Sequence, residues 1–171
     1  YDDALTTTGY ASCRPTVYVP PGIFRIDTTV YLSSFINLKM DGYLVYWTTD
    51  QEPAIVIGET GVAAKRNQQV EIELRLRRRH QSDWTSEDCI GARVRTLSQG
   101  FIKVFEIRGF TIGLQLYADG YGIVHNNITA GLFYDNKVGL DFTNANSGWC
   151  NSNTLFGGQF TCSSTTNLTL A

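Results

Sequence analysis

The stretch from residue 101 to 145 holds four carboxylates, Glu106, Asp119, Asp135 and Asp141, set among short apolar runs. Glycoside hydrolysis asks for two such groups flanking the scissile bond, one to protonate the leaving oxygen and one to act as base or nucleophile. Asp119 is the first candidate, because Tyr117-Ala-Asp-Gly-Tyr121 is a turn flanked by aromatics. The competing reading is an Asp-Gly turn chosen for backbone geometry, and Asp135-Asn136 reads the same way. Elimination beside a uronic carboxylate would instead need a basic group and a cation to hold the acid. His125, Arg108 and Lys103 are available for that, although a lone His125 also reads as a structural polar residue. The catalytic candidates are therefore Asp119, Glu106, Asp141 and His125. With no CxxC and no His pair at ligand spacing, no zinc site is expected, and no aspartate cluster of the kind that binds calcium is seen, so no catalytic metal or other cofactor is expected.

The remaining composition bounds the setting. The chain has 171 residues with a formal charge of -2, 43% hydrophobic and 18% charged residues, a profile of packed protein rather than of disorder. A pI near 5.6 argues against nucleic acid as a partner. No apolar run reaches the roughly 18 residues of a membrane-spanning helix, so no membrane insertion is expected. Cys13, Cys89, Cys150 and Cys162 permit two disulfides but read as thiols, mostly buried. The sequons at Asn127 and Asn167 would matter only in a eukaryotic secretory pathway. The sequence opens on Tyr1 and its one methionine is Met40, which suggests that the natural protein begins earlier.

The elements that must position these side chains are strands. Val17 and Val19 alternate before Pro20-Pro21-Gly22, followed by Phe24 and Ile26, Val30 and Leu32, Ile36, Leu38 and Met40, then Leu44 and Tyr46. Such short alternating runs, broken by turn residues, indicate an all-β chain. Val70, Ile72, Leu74 and Leu76 should face inward while Glu71, Glu73, Arg75, Arg77 and Arg79 face outward. That charged row reads as a solvated face, or as a cationic strip toward an acidic polymer or a partner subunit.

Internal repetition fixes the architecture. Ile112-Gly-Leu-Gln-Leu116 returns as Val138-Gly-Leu-Asp-Phe142, and Asn127 with Gly131 returns as Asn153 with Gly157, all at an offset of about 26 residues. The same offset sets Asp141 over Gln115, and His125 level with Asn151. A repeat of two or three short strands cannot bury its own inner face, so coils must stack. A β-solenoid is predicted, with Asn127 and Asn153 as a structural ladder.

The run Thr16-Val-Tyr-Val-Pro-Pro-Gly-Ile-Phe-Arg-Ile-Asp27, with Thr29 to Ser34 and Ile36 to Gly42 after it, resembles the opening coil of the pectate-lyase-like right-handed parallel β-helix family. The irregular coils and Asn151-Ser-Asn-Thr-Leu-Phe-Gly-Gly-Gln-Phe160 are similar in texture to bacteriophage tailspike and capsule-depolymerase proteins. The resemblance implies a single-stranded right-handed parallel β-helix, incomplete at both ends. Residues 1–12 would be the remnant of an N-terminal capping helix and lead-in, and 13–50 the opening coils. Residues 51–100 would form irregular coils with the charged outer strand, and 101–171 regular coils, with no recognisable cap from Thr161 onward. It further implies binding and cleavage of a bacterial capsular polysaccharide or lipopolysaccharide, a homotrimer or further chain of the same protein, and a virion-tail or extracellular location. Sugar polymers suit aromatic platforms beside carboxylates, and of the rings available, Trp47 included, Trp84, Tyr117, Tyr121 and Trp149 with Arg108 are the binding candidates; core packing is the alternative for each ring. A secreted lyase or glycoside hydrolase on the same fold, and a non-catalytic adhesin or virion shaft, are the rival readings.

Overall fold

The computed structural model describes residues 14–48, 52–58, 67–79, 89–161 and 168–170. Among these residues there are eighteen strands and no helix, and every strand pair is parallel. The expected strands form where alternation placed them: β1 (Thr16–Val19), β2 (Ile23–Ile26), β3 (Val30–Leu32), β4 (Asn37–Met40) and β5 (Tyr43–Tyr46); β6 (Ile55–Ile57) and β7 (Asn67–Gln68), which the alternation did not mark, come next. The larger coils follow as β8 (Glu71–Arg78), β9 (Ile90–Arg95), β10 (Leu97–Ser98), β11 (Phe101–Arg108) and β12 (Ile112–Asp119). Repetition continues with β13 (Ile123–Val124), β14 (Asn127–Tyr134), β15 (Val138–Ala145), β16 (Cys150–Asn151), β17 (Thr154–Thr161) and β18 (Leu168–Leu170).

Among the described residues, the coils from β7 onward each contribute to three sheets, and the two before them to the first two only. A major sheet stacks β1-β4-β8-β11-β14-β17 with β2 and β5 beside them; a lateral sheet stacks β3-β6-β9-β12-β15-β18; a narrow sheet stacks β7-β10-β13-β16. Parallel strands joined by crossovers wind right-handed, and the chain is a right-handed parallel β-helix. Its core is built of like over like: Leu38, Ile72, Ile102 and Ile128 stack in one inward column, all buried. Phe133 and Phe160 stack in another, with centroids 4.9 Å apart and planes 3° from parallel. Each fully buried side chain contributes about 1.5–3 kcal/mol, which a single coil alone would forfeit on its open sides.

The β8 alternation holds, with Val70, Ile72, Leu74 and Leu76 buried. It runs one residue further, so Arg78 also turns inward and is 5% exposed. The Ile112 and Val138 repeats lie side by side, with Gln115 opposite Asp141. Between them runs a glycine column: a Cβ on Gly91 would stand 2.5 Å from the Gly113 carbonyl oxygen, and one on Gly113 would stand 2.7 Å from that of Gly139.

Past this point the offset changes from 26 to 27. Asn127 pairs with Thr154 and Ala130 with Gly157, so the expected Asn127/Asn153 and Gly131/Gly157 matches are each off by one. His125 likewise is not level with Asn151, whose partner is Val124. The cause is the corner after the lateral sheet: residues 120–122 turn the chain in one coil, whereas 146–149 do so in the next. The ladder that forms joins Asn126 to Asn153. Each Asn follows a corner residue with left-handed backbone, His125 (φ 56) and Ser152 (φ 52), and the earlier larger coils turn in the same way at Gln69 (φ 50) and Gln99 (φ 55). Asparagine and glycine tolerate that conformation best, yet none occupies these four corners. Residues 1–12, Trp84, Cys13 and Cys162 lie outside the described residues; Cys89 is a buried thiol and Cys150 a half-buried one.

Candidate functional site on the lateral sheet

Parallel register brings β9, β12 and β15 side chains into rows on the outer face of the lateral sheet. Arg93, Gln115 and Asp141 make one row, Arg95, Tyr117 and Thr143 the next. Arg93 Nε donates to Gln115 Oε1 at 2.6 Å, and Gln115 Nε2 donates to Asp141 Oδ2 at 2.9 Å. The Thr143 hydroxyl also donates to Asp141. Gln115 and Asp141 are buried despite pointing outward. The Tyr117 ring centroid lies 5.1 Å from the Arg93 guanidinium and 5.4 Å from that of Arg95.

Asp119 ends this face. Its carboxylate accepts from Arg95 Nη1 at 3.5 Å and from Asn146 Nδ2 at 2.7 Å, and it is buried at 8% exposure. Asn146 comes from the corner one coil on. Tyr121 and Trp149 are exposed at the same corner. Trp149 packs against Gly122, where a Cβ would meet the indole Nε1 at 2.5 Å. Burial, aided by the positive charge of Arg95, pushes the Arg93 guanidinium below its ordinary value. Burial, then Asp141, pushes the Cys150 thiol up.

The remaining predicted residues stand elsewhere. Glu106 and Arg108 are on the outer face of the major sheet, where Arg77 grips Glu106 with two bonds of 3.0 Å and Tyr43 Oη donates to it at 3.1 Å. Hydrogen bonding to Glu106 raises the Arg77 guanidinium above its ordinary value. Arg108 lies 3.9 Å from Glu106 and packs on Tyr134. His125 occupies an exposed corner between the narrow and major sheets. The structure thus gathers Asp119, Asp141, Tyr117, Tyr121 and Trp149 on the lateral sheet and its edge, and separates Glu106, Arg108 and His125 from them. Asp135 is a turn residue with φ 54. Among the described residues, no group of three or more His, Cys, Asp or Glu side chains is placed to hold a metal ion.

Arg93, Arg95 and Asn146 are absent from the candidates named from sequence. Arg93 lies 22 residues before Gln115, its partner one coil on, so an offset of 26 skips over it. Asn146 belongs to the enlarged corner that breaks the period.

Asp119 and Asp141 differ by four residues along the strand direction, because Asp141 opposes Gln115. At about 3.3 Å per residue this is a displacement of roughly 13 Å. The two carboxyls of inverting glycosidases are about 6.5–9.5 Å apart, and those of retaining ones closer still.

No protein-family profile matches this sequence, and neither does any curated protein. Among solved structures, ORF18 of Geobacillus virus E2 superposes with a TM-score of 0.60 at 19% identity, over 85% of this chain and 34% of that protein. The likeness is one of fold, and the chain spans about a third of that protein's length.

Proposed function

We propose that this chain is part of a bacteriophage tailspike-type or tail-fibre depolymerase, carried on the virion tail, which binds and cleaves a bacterial surface polysaccharide along its lateral sheet. The observation that carries this reading is the corner at Asp119: a carboxylate held by Arg95 and Asn146, with Tyr117 beside it and Tyr121 and Trp149 exposed at its edge. Flat aromatic faces next to fixed polar groups suit a sugar chain. The parallel β-helix and its likeness to a phage protein support the viral setting. Fold alone does not fix an activity.

Both groups around Asp119 are donors, so its carboxylate is arranged as an acceptor. The role this suits is base toward an attacking water: the water oxygen bonds to the anomeric carbon, its proton goes to Asp119, and the glycosidic oxygen leaves with a proton from an acid. Asp141 stands too far along the strand to be that acid. A neighbouring chain of a homotrimer would supply it.

A second reading, a non-catalytic adhesin or shaft, is favoured by the engagement of both carboxylates within the fold and by their wide separation. One assay separates the two. Incubation with a panel of bacterial capsular polysaccharides is expected to give new reducing ends without the ultraviolet absorbance of an unsaturated uronide, and Asp119→Asn should abolish them while the circular dichroism stays native. Appearance of the unsaturated product would make the enzyme a lyase. Binding with no product in any form would leave the adhesin.

A further inference from the structure

Arg77 shows what a satisfied arginine looks like in this protein: two parallel bonds of 3.0 Å to one carboxylate. Arg93 and Arg95 have nothing comparable. Among the described residues, Arg93 engages only Nε, on a neutral amide oxygen, and Arg95 only Nη1, on Asp119 at 3.5 Å. The Nε of Arg95 is buried with no hydrogen-bond partner. Two residues apart on one strand, the pair leaves the sheet on the same face at about 6.6 Å spacing, against the Tyr117 ring.

An arginine fork matches a carboxylate through two parallel bonds. Among the described residues each fork is anchored at one donor, and its remaining donors are those a ligand carboxylate would engage. Burial already opposes the charge on Arg93, and Arg95 beside it adds repulsion. An arriving anion favours the charged form and so counters both effects.

We infer that Arg93 and Arg95 form the subsite for the carboxylate of an acidic sugar, which takes Arg95 over from Asp119. The inference rests on the lateral sheet being the glycan-binding face. It adds that the glycan carries uronic or similar acidic residues, and that their binding frees Asp119 for the attacking water while Asn146 keeps it in place. The 3.5 Å contact between Arg95 and Asp119 is the bond exchanged; no covalent step is involved.

The test is a titration of the whole chain, followed by the guanidinium Nε–Hε signals in NMR, with glucuronate, its neutral methyl ester and acetate. Glucuronate should move the Arg93 and Arg95 signals and bind about tenfold tighter than the ester, the least expected of a charge-assisted pair of bonds. Arg95→Gln should erase that preference, and Arg95→Lys, which keeps charge without the fork, should restore part of it. Asp119→Asn, lacking the competing carboxylate, should bind glucuronate at least as tightly as the native chain. Equal affinity for glucuronate and ester overturns the acidic subsite and leaves the glycan face standing. Acetate binding as strongly as glucuronate overturns the sugar and leaves a bare anion site. If glucuronate and ester leave the signals still and no capsular polysaccharide binds, both this inference and the proposed function fall. The comparison of the three probes on the native chain decides the matter even if an arginine variant does not fold.

Discussion

The side-chain amide of Asn126 donates to that of Asn153 in the next coil, Nδ2 to Oδ1 at 2.8 Å. Two successive corners between the narrow and major sheets are thereby tied by side chains as well as by strands. Asn126 Oδ1 also accepts from the Gly100 N–H at 2.8 Å, and its Nδ2 donates to the Leu97 carbonyl at 3.0 Å. Asn153 repeats the pattern one coil on, donating to the Ile123 carbonyl at 2.8 Å. A corner made by a single left-handed residue leaves backbone groups facing the coil interior, and these amides satisfy them.

Removing the lower amide should therefore cost more than removing the upper one. Asn126 is 1% exposed, and Asn126→Ala strands a buried N–H and a buried carbonyl at about 1–3 kcal/mol each. The expected loss is roughly 2–5 kcal/mol in chemical denaturation. Asn153→Ala strands the Asn126 N–H and the Ile123 carbonyl in turn, but Asn153 is more open and water can replace part of what it supplies, so the loss should be smaller. Equal losses, or a mild effect at Asn126, would show that the ladder is an ornament of the coil and not its tie.

The ladder also shows where the sequence was legible. Strand alternation marks the early strands and β8 because side chains of opposite character on opposite faces leave a period-two trace in one dimension. The Gly-Leu repeat marks β12 over β15 because both strands have the same length and lead-in. One extra corner residue then shifts everything after it, and only hydrogen bonding across coils tells Asn126 from Asn127. The candidate site was legible at Asp119 and its aromatics, which are neighbours in sequence. Its arginines were not, since β9 enters the stack after an irregular coil, and contact between coils depends on register that a constant offset misstates. Glu106 is visible in the sequence as a carboxylate, but its sequence neighbours do not reveal an Arg77 situated 29 residues earlier.

The Glu106 pair supplies a second prediction. The side chain of Arg77 is 33% exposed and that of Glu106 13%, so solvent screens the ion pair and its worth is discounted toward the surface value of about 1 kcal/mol or less. Bidentate geometry and the Tyr43 hydroxyl bond place it at the upper end of that range. A double-mutant cycle of Glu106→Gln and Arg77→Gln, read by denaturant midpoint, should give a coupling near 1 kcal/mol. Absent coupling would mean that the two side chains do not hold each other in solution.

Cys150 gives a third prediction, in pH. Burial and Asp141 raise its thiol above the ordinary range, so the folded state favours the neutral form. A group raised on folding contributes stability that is fully present below its unfolded pKa, about 8.5, and is lost as pH rises through the folded value. Native stability should therefore fall above that pH more steeply than in Cys150→Ser. The same neutral thiol should react slowly with iodoacetamide at neutral pH, with the modified peptide identified by mass spectrometry. Fast labelling at Cys150 in the folded chain would contradict the shift.

Trp149 and Gly122 give the last. The indole lies where a Gly122 Cβ would be, 2.5 Å from Nε1 and 2.7 Å from Cε2, so the ring is seated by an absent side chain. The atoms a methyl group would meet belong to side chains, the exposed Trp149 ring and the buried, β-branched and therefore stiff Val124. Gly122→Ala should then cost some stability at Val124 and tip the Trp149 ring off its platform, with a change in tryptophan emission. If that ring is a sugar platform, Gly122→Ala and Trp149→Ala should weaken polysaccharide binding together, by about 1–2 kcal/mol as expected of an aromatic contact of this size. Weakened binding in Trp149→Ala alone would show that the ring tolerates a tilt. Unchanged binding in both would take the aromatic edge out of the glycan face and leave Tyr117 and the two arginines to carry it.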